Sequence, residues 1–577
     1  MRKLTRFLKN YKLEVILGPV FKLIEAVFEL IIPLLTADII DRGVKAGDTA
    51  YVWHMSGIML LLGFTGLCSS LVCQKFASIA SQGFGTEVRN SLYEKINSFS
   101  HAEIDKFGTP SLITRITNDV NQLQYAVAML IRLVIRAPFL AIGAVIMAMT
   151  VDFTLSIVFL IATPLIALTL YIVMSRSVPY YRVIQKKLDR ISLITREGLS
   201  GARVIRAFSK QEGEEKRFAE AAQDQAVTAV RVGRLSALLN PFTYMIMNFA
   251  VIAIIWFGGW RVDAGYMTQG QIIAFVNYMN QTLLALIVVA NLVVTFTKAA
   301  ASAARVNEVF ETEVSVSELT EGPAEKIEGA PKIEFERVDF SYDGTDKYAI
   351  RNLSVKIRAG ETMGVIGGTG SGKSTLVNLI PRFYDATKGR VLVDGVDVRG
   401  YPFSQLRRKI GVVPQEAVLF SGTIADNLRM GREDAPAEIM EWALSVAQAE
   451  EFVSKLPKGL ESSVSQGGKN FSGGQKQRLT IARALVGEPE VLILDDSASA
   501  LDFATDAALR KALKSETKGM TVFIVSQRVG AIRHADRIIV LEDGAVAGIG
   551  THEELMKNCD VYKEICLSQL SREEAEA

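Results

Sequence analysis

The chain has 577 residues, 49% of them hydrophobic, with 64 Lys+Arg against 62 Asp+Glu and a formal net charge of +2. At about 150 residues per domain that is several domains, and the apolar fraction with only 4 Cys excludes a disordered chain, a disulfide scaffold and a uniformly soluble enzyme. The near-neutral total hides a split: residues 1–310 hold 31 Lys+Arg against 21 Asp+Glu, and the rest 33 against 41.

In chain order, apolar stretches near 15–40, 52–78, 125–149, 153–175, 242–262 and 270–297 each reach the length of about 20 residues that a helix needs to cross a hydrocarbon core. The first contains Glu25 and Glu29 and lacks a small-residue cleavage site, so it reads as a span and not as a secretory signal. Arg2, Lys3, Arg6, Lys9 and Lys12 precede it, and thirteen Lys or Arg lie between Arg176 and Arg234. The positive-inside rule then predicts a cell-membrane protein with both termini and the two long connections in the cytoplasm. This basic excess flanks spans and does not form a nucleic-acid patch.

The long connections, 79–124 and 176–241, are polar but helix-favouring. They predict membrane helices that continue into the cytoplasm and reverse near Phe107-Gly108-Thr109-Pro110 and Gly198-Leu199-Ser200-Gly201. Lys22, Glu25 and Glu29 share one face of the first span, and Arg132 and Arg136 one face of the third. Charges at that depth must face a polar cavity or one another. Two roles stay open here, a structural ion pair or a substrate pathway, and the same holds for Asn248, Asn277, Asn280, Gln281 and Asn291.

Residues 311–331 are acidic, with Gly and Pro and little periodicity, and read as a linker between a membrane domain (1–310) and a mixed α/β domain (332–577). In the latter, Gly367-Gly368-Thr369-Gly370-Ser371-Gly372-Lys373-Ser374 fits G-x-x-x-x-G-K-[ST] between a strand and a helix that opens at Thr375. Such a loop turns backbone N–H groups onto phosphate oxygens; Lys373 would neutralise the β/γ-phosphates and Ser374 would hold Mg²⁺. The apolar run Val491–Leu494 delivers Asp495, a second metal partner, to a strand's C-terminal edge. Between them lies Ser472-Gly473-Gly474-Gln475 before a helical segment, an anion site at a helix N-terminus.

With these motifs in this order behind six spans, the chain resembles the ATP-binding cassette exporters over almost its whole length. The resemblance is to a half-transporter of the type IV exporter fold: a membrane α-helical bundle with long cytoplasmic extensions, then an α/β P-loop cassette. It implies ATP and Mg²⁺ as cofactors and a pair of chains that sandwich two nucleotides, each between one chain's phosphate loop and the other's Ser-Gly-Gly-Gln. It further implies that Tyr342 stacks on adenine, that Gln415 touches Mg²⁺, and that Ser499–Asp502 crosses the dimer interface.

The chain departs from the family pattern at the hydrolytic positions. A glutamate is expected after the metal-binding aspartate, and Asp496 stands there, one methylene shorter. A histidine is expected at the end of the next strand, and Gln527 stands there; the nearest histidine, His534, is seven residues on. The family's usual G-E-R-G reads Ser465-Gln466-Gly467-Gly468. By resemblance this is the degenerate-site subunit of a heterodimeric multidrug exporter: its own site binds ATP and hydrolyses it poorly, and its Ser472–Gln475 completes the site of a second, catalytically complete half-transporter. Its cargo would be an amphipathic compound drawn from the cytoplasm or the inner leaflet among membrane lipids. The alternatives are a slow homodimeric lipid flippase or peptide exporter, or an ATP-gated, channel-like subunit.

Overall fold

The structure, a computed structural model, describes residues 2–318, 324–342, 347–497, 500–517 and 519–570. Part of the expected linker (319–323) and Ser499 of the expected interface segment lie outside the described residues. The chain forms two compact units. One comprises the chain up to Asn97 with Thr109–Thr312; the other comprises Ser98–Gly108 with the chain from Glu313 onward.

Six long helices build the first unit: Lys12–Asp38, Thr49–Asn97, Thr109–Val151, Ile157–Ser200, Gln211–Asp263 and Gln269–Glu311. The last five are long and apolar enough to cross a membrane. The first does not meet that composition because Lys22, Glu25 and Glu29 interrupt its apolar stretch, so five helices and not six qualify on that basis. Its 27 residues still amount to about 40 Å of helix, and it packs along the second and sixth helices. The 49 residues of the second helix run about 70 Å, far more than a bilayer core of about 30 Å. The polar connections are therefore helical extensions of the spans.

The reversals fall at glycines, as expected. Gly108 ends the short helix His101–Phe107 at φ +72°, a conformation that costs a side-chain-bearing residue energy. Gly201 ends the fourth long helix before the short helix Ala202–Ala207. Inside the bundle, Ala26, Ala144, Ala148 and Ala274 are fully buried, and such small side chains let helix backbones approach closely. The third and sixth helices are also tied by polar contacts: Arg305 pairs with the buried Asp119, Ser302 donates to the same carboxylate at 2.9 Å, and Arg115 reaches Glu308 at 2.8 Å.

The second unit holds two main sheets. β1 (Ile333–Phe340), β2 (Ile350–Ile357), β4 (Lys388–Val393) and β5 (Val396–Asp397) form an antiparallel sheet in the order β2-β1-β4-β5. β3 (Thr362–Gly367), β6 (Ile410–Val413), β9 (Val491–Asp495), β10 (Thr521–Val525), β11 (Arg537–Glu542) and β12 (Ala545–Gly550) form the second, in the order β12-β11-β3-β10-β9-β6. In it β6, β9, β10, β3 and β11 are parallel and β12 closes one edge antiparallel. Every residue of β9 is buried, the texture of a strand covered on both faces. Between β6 and β9 the chain leaves the sheet, makes the small ladder β7 (Gly422–Thr423) with β8 (Ser463–Val464), and builds a helical lobe with its own core around Leu444, Leu479 and Leu485.

A partly buried ionic cluster joins the residues next to β1, β4, β6 and β9. Lys332 and Lys409 donate to Asp394 at 2.8 and 2.9 Å, and both also pair with Glu490. Asp394 is 1% exposed.

Candidate functional site

The C-terminal edge of the parallel sheet gathers most of the residues singled out in the sequence. β3 is flanked by β10 and β11, so the loop leaving it emerges at the middle of the sheet, where ligands of open α/β folds bind. The loop's shape demands glycine at two points. A Cβ on Gly367 would stand 2.2 Å from Leu541 O, and one on Gly372, at φ +97°, would stand 2.3 Å from Ala349 O. Gly370 also has positive φ, at +81°. Within this cradle Ser371 is 5% exposed and its Oγ is buried with no hydrogen-bond partner, and the Lys373 ammonium folds back to donate to Gly367 O at 2.9 Å and Gly368 O at 2.7 Å. Gly368 and Thr369 form the exposed rim of the loop.

Ser374, one residue on, donates to Asp495 Oδ1 at 3.1 Å. The sequence separates these two residues by 121 positions, and the β3-β10-β9 order closes that gap. Burial pushes the Asp495 carboxyl above its ordinary range, against the Ser374 hydrogen bond and the Lys373 charge, and Asp496 pushes it further. Asp496 is also raised by burial, opposed by Arg528 and Lys373. Lys373 is lowered by burial and supported by both aspartates. One ammonium set against two carboxylates leaves an excess of negative charge that a divalent cation would offset. The cradle, the orphaned Ser371 hydroxyl and the paired Ser374 and Asp495 oxygens together fit a polyphosphate carrying a divalent cation.

Asp496 turns off the end of β9 at φ +45°, with its N–H donating to Val525 O at 2.9 Å. Gln527 follows β10 by two residues; it is exposed, and its carbonyl accepts from Gln569 Nε2 at 2.7 Å. Gln415 follows β6 by two residues and is exposed at the same edge, since Val413 pairs with Leu494. His534 lies beyond the helix Val529–Ile532 and accepts from Arg533 Nε at 3.2 Å. Among the described residues no hydrogen bond joins the side chains of Gln415, Gln527 or His534 to Asp495 or Asp496.

Tyr342 presents a half-exposed ring edge-on to Phe340 and Tyr384, at 4.8 and 5.3 Å between centroids, and its hydroxyl meets Thr375 Oγ1 at 2.9 Å. Ser472 caps the helix Gly473–Val486: its N–H donates to Gln475 Oε1 at 2.9 Å and its Oγ accepts from Gln475 N. The N–H groups of Gly473 and Gly474 are left at the positive end of a 14-residue helix. No hydrogen bond joins Ser472–Gln475 to the phosphate loop among the described residues, and Asp502 caps its own helix through Thr505 N at 2.9 Å.

Sequence reasoning missed three neighbours. Arg528 acts electrostatically on Asp496, and its only sequence signal was its place beside Gln527. Tyr384 bridges the Tyr342 ring to the short helix His101–Phe107, donating to Asp105 Oδ2 at 3.0 Å. His101 stacks on Phe383 at 4.4 Å, and burial lowers its basicity, with Arg407 acting the same way and Asp105 opposing. Nothing local in the sequence relates residues 101–105 to 383–384.

Residues 15–286 match the family of ABC transporter transmembrane regions, and residues 350–499 match the ABC transporter family. An ABC transporter ATP-binding protein of Bacillus subtilis is 38% identical over 578 residues, covering 100% of both chains. An ATP-dependent lipid A-core flippase of Syntrophus aciditrophicus is 32% identical over 538 residues, covering 92% of this chain and 87% of its own. Among solved structures, a bacterial Atm1-family ABC exporter with ATP bound superposes with a TM-score of 0.78 at 23% identity, over 99% of each chain. The chain belongs to the ABC transporter family, a membrane protein that carries a transmembrane region and an ABC ATPase domain on one polypeptide.

Proposed function

We propose that this chain is one half of an ATP-driven exporter, paired with a different and catalytically complete half-transporter, and that it moves amphipathic compounds out of the cytoplasm or the inner leaflet. Both termini and the ATPase domain, residues 332–577, face the cytoplasm, and 1–310 form the membrane domain. The observation that carries the reading is the make-up of the sheet edge. Lys373, Ser374 and Asp495 converge, while Asp496 offers a shortened carboxylate and Gln527 an uncharged amide at the two positions where hydrolysis needs a base and a cation. The similarity to a relative named an ATP-dependent lipid A-core flippase supports an amphipathic cargo.

In this reading Tyr342 stacks the adenine, residues 367–375 hold the phosphates, and Ser374, Asp495 and Gln415 hold Mg²⁺. ATP supplies its own γ-phosphoryl bond as the energy source when bound. Asp496 and Gln527 are the hydrolytic positions. A water must be held within fractions of an ångström for attack, and a displacement of about 1 Å costs on the order of a hundredfold in rate. Gln527 donates a hydrogen bond without adding positive charge. Ser472–Gln475 presents its N–H groups to the partner's nucleotide, where the partner supplies glutamate and histidine.

The test compares ATPase rates of this chain alone and with candidate partner half-transporters. Alone it is expected to turn over slowly, and the double substitution Asp496→Glu with Gln527→His should raise turnover at this chain's own site by about a hundredfold, the lower end of what one positioned acid–base group contributes. Robust turnover of the unaltered chain by itself, lost on Asp496→Asn, overturns the pairing and leaves a homodimer.

A further inference from the structure

The polar cluster inside the first unit is only partly self-neutralising. Lys22 donates to Glu25 at 2.5 Å and to Ser70 at 3.0 Å. Arg136 pairs with Glu29 at 2.6 Å and lies 3.9 Å from Glu25. Gln281 of the sixth helix donates to Glu29 O at 3.1 Å. Four of the long helices therefore meet here, and Glu25 sits near the middle of its 27-residue helix, at the depth of the hydrocarbon core.

The cluster has three cations and two carboxylates. Both carboxylates are engaged by Lys22 and Arg136, whereas Arg132 makes no ion pair or hydrogen bond among the described residues. Arg132 belongs to the same neighbourhood: it lies within electrostatic reach of the Cys73 sulfur together with Lys22 and Glu25. It stands in a widened π-helical turn, Leu130–Val134, packed against the first helix, where a Cβ on Gly18 would come 2.5 Å from Ile131. Such turns frequently occur at functional sites. Arg136 Nε, a further donor, is buried without a partner. A guanidinium at membrane depth is expensive unless an anion or water meets it, and its fork suits a carboxylate or phosphate.

Apolar space lies on the same helix. Leu123, Val127 and Leu130, with Leu4 and Phe84, line an apolar cavity of about 170 Å³. That is at least as large as the ~150 Å³ apolar cavities that take a benzene-sized ligand.

We infer that Arg132, backed by Arg136 and Lys22, is a subsite for the anionic head of an amphiphile, so that the cargo of this chain is an acidic amphiphile and not a cationic drug. The inference rests on the exporter reading and narrows its substrate class.

Binding to the full-length protein in detergent, without nucleotide, tests it. The probes are a dansylated long-chain carboxylic acid, its methyl ester and its quaternary-ammonium analogue. The acid should bind about tenfold tighter than either, as one charge-assisted hydrogen-bonded pair predicts. Arg132→Gln should bring the acid level with the ester, and Arg132→Lys should keep most of the preference. Equal affinities, a preference for the cation, or an acid affinity unmoved by Arg132→Gln overturns the inference. If Arg132→Gln does not fold, the three-probe comparison on the unaltered chain decides. Inorganic phosphate should not displace the acid; displacement would make this a free-anion site and overturn the amphiphile assignment. Because no nucleotide is present, acid binding without ATP-driven transport would fault the exporter reading alone, and transport without acid preference would fault only this inference.

Discussion

Replacing Gly474 by Asp in this chain should remove nearly all ATPase activity of the assembled transporter, and replacing Asp496 by Asn should remove little. The asymmetry follows from where each residue acts. Gly474 lies in the first turn of a 14-residue helix whose free N–H groups and positive end are presented by the Ser472–Gln475 capping box. A Cβ there already comes 3.1 Å from Ala500 O, and a carboxylate beyond it would put negative charge where the partner's nucleotide brings its own. Loss of one preorganised donor to developing charge costs about a hundredfold or more in rate, and repulsion adds to it. In the proposed pairing Asp496 serves this chain's own site, which would hydrolyse slowly. Measured on the purified pair at saturating ATP, two equal losses would show that both sites hydrolyse and would end the asymmetric reading.

The second large effect is on stability. Asp394→Asn should lower the free energy of opening of the ATPase domain by about 3–5 kcal/mol, the usual cost of removing one partner from a buried ion cluster. The amide keeps the shape but leaves Lys332, 5% exposed, and Lys409 with Glu490 as their one carboxylate partner among the described residues. Hydrogen exchange of the Val491–Leu494 amides in the full-length protein reads this, because β9 begins beside Glu490. The same cluster sets an acid limit. Burial alone would push the Asp394 carboxyl up, but hydrogen bonds and charge from Lys332 and Lys409 outweigh it and hold the group below its ordinary value, as they do Glu490. A carboxylate depressed in the folded state contributes stability that is complete above its unfolded value, near pH 4, and lost as pH falls through the folded value. Protection of β9 should therefore decline below about pH 4 in the parent and vary less with pH in Asp394→Asn. Equal pH dependence in the two proteins would remove Asp394 from the account.

Much of this molecule was legible in the chain because its strongest signals are local. The loop 367–374 declares itself by glycine spacing, and the structure explains that spacing by clashes a Cβ would make at Gly367 and Gly372. β9 declares itself as an unbroken apolar run ending in Asp495. The reversals at Gly108 and Gly201 were readable for the same reason, since a glycine between two polar helical stretches has few other uses. What was illegible depends on long-range placement. The ion pairs of Arg136 with Glu25 and Glu29 join residues up to 111 positions apart on different helices, so the sequence pattern left two roles open. The first apolar stretch, whose three charges are visible in the sequence, falls below the composition of the other five helices. Tyr384 carries no motif at all. Its importance comes only from touching both Tyr342 and Asp105.

The assignment of Ser98–Gly108 to the second unit bears on how the protein is made. A ribosome delivers Ala102 and its neighbours about 300 residues before Arg407, hence on the order of 15 to 60 seconds early at ordinary synthesis rates. During that interval His101 has no Phe383 to stack on and Asp105 no Tyr384 to accept from. A part of the domain synthesised early thus waits for its packing partners, and a fragment beginning at Glu313 would present the bare faces of Phe383 and Tyr384 to water.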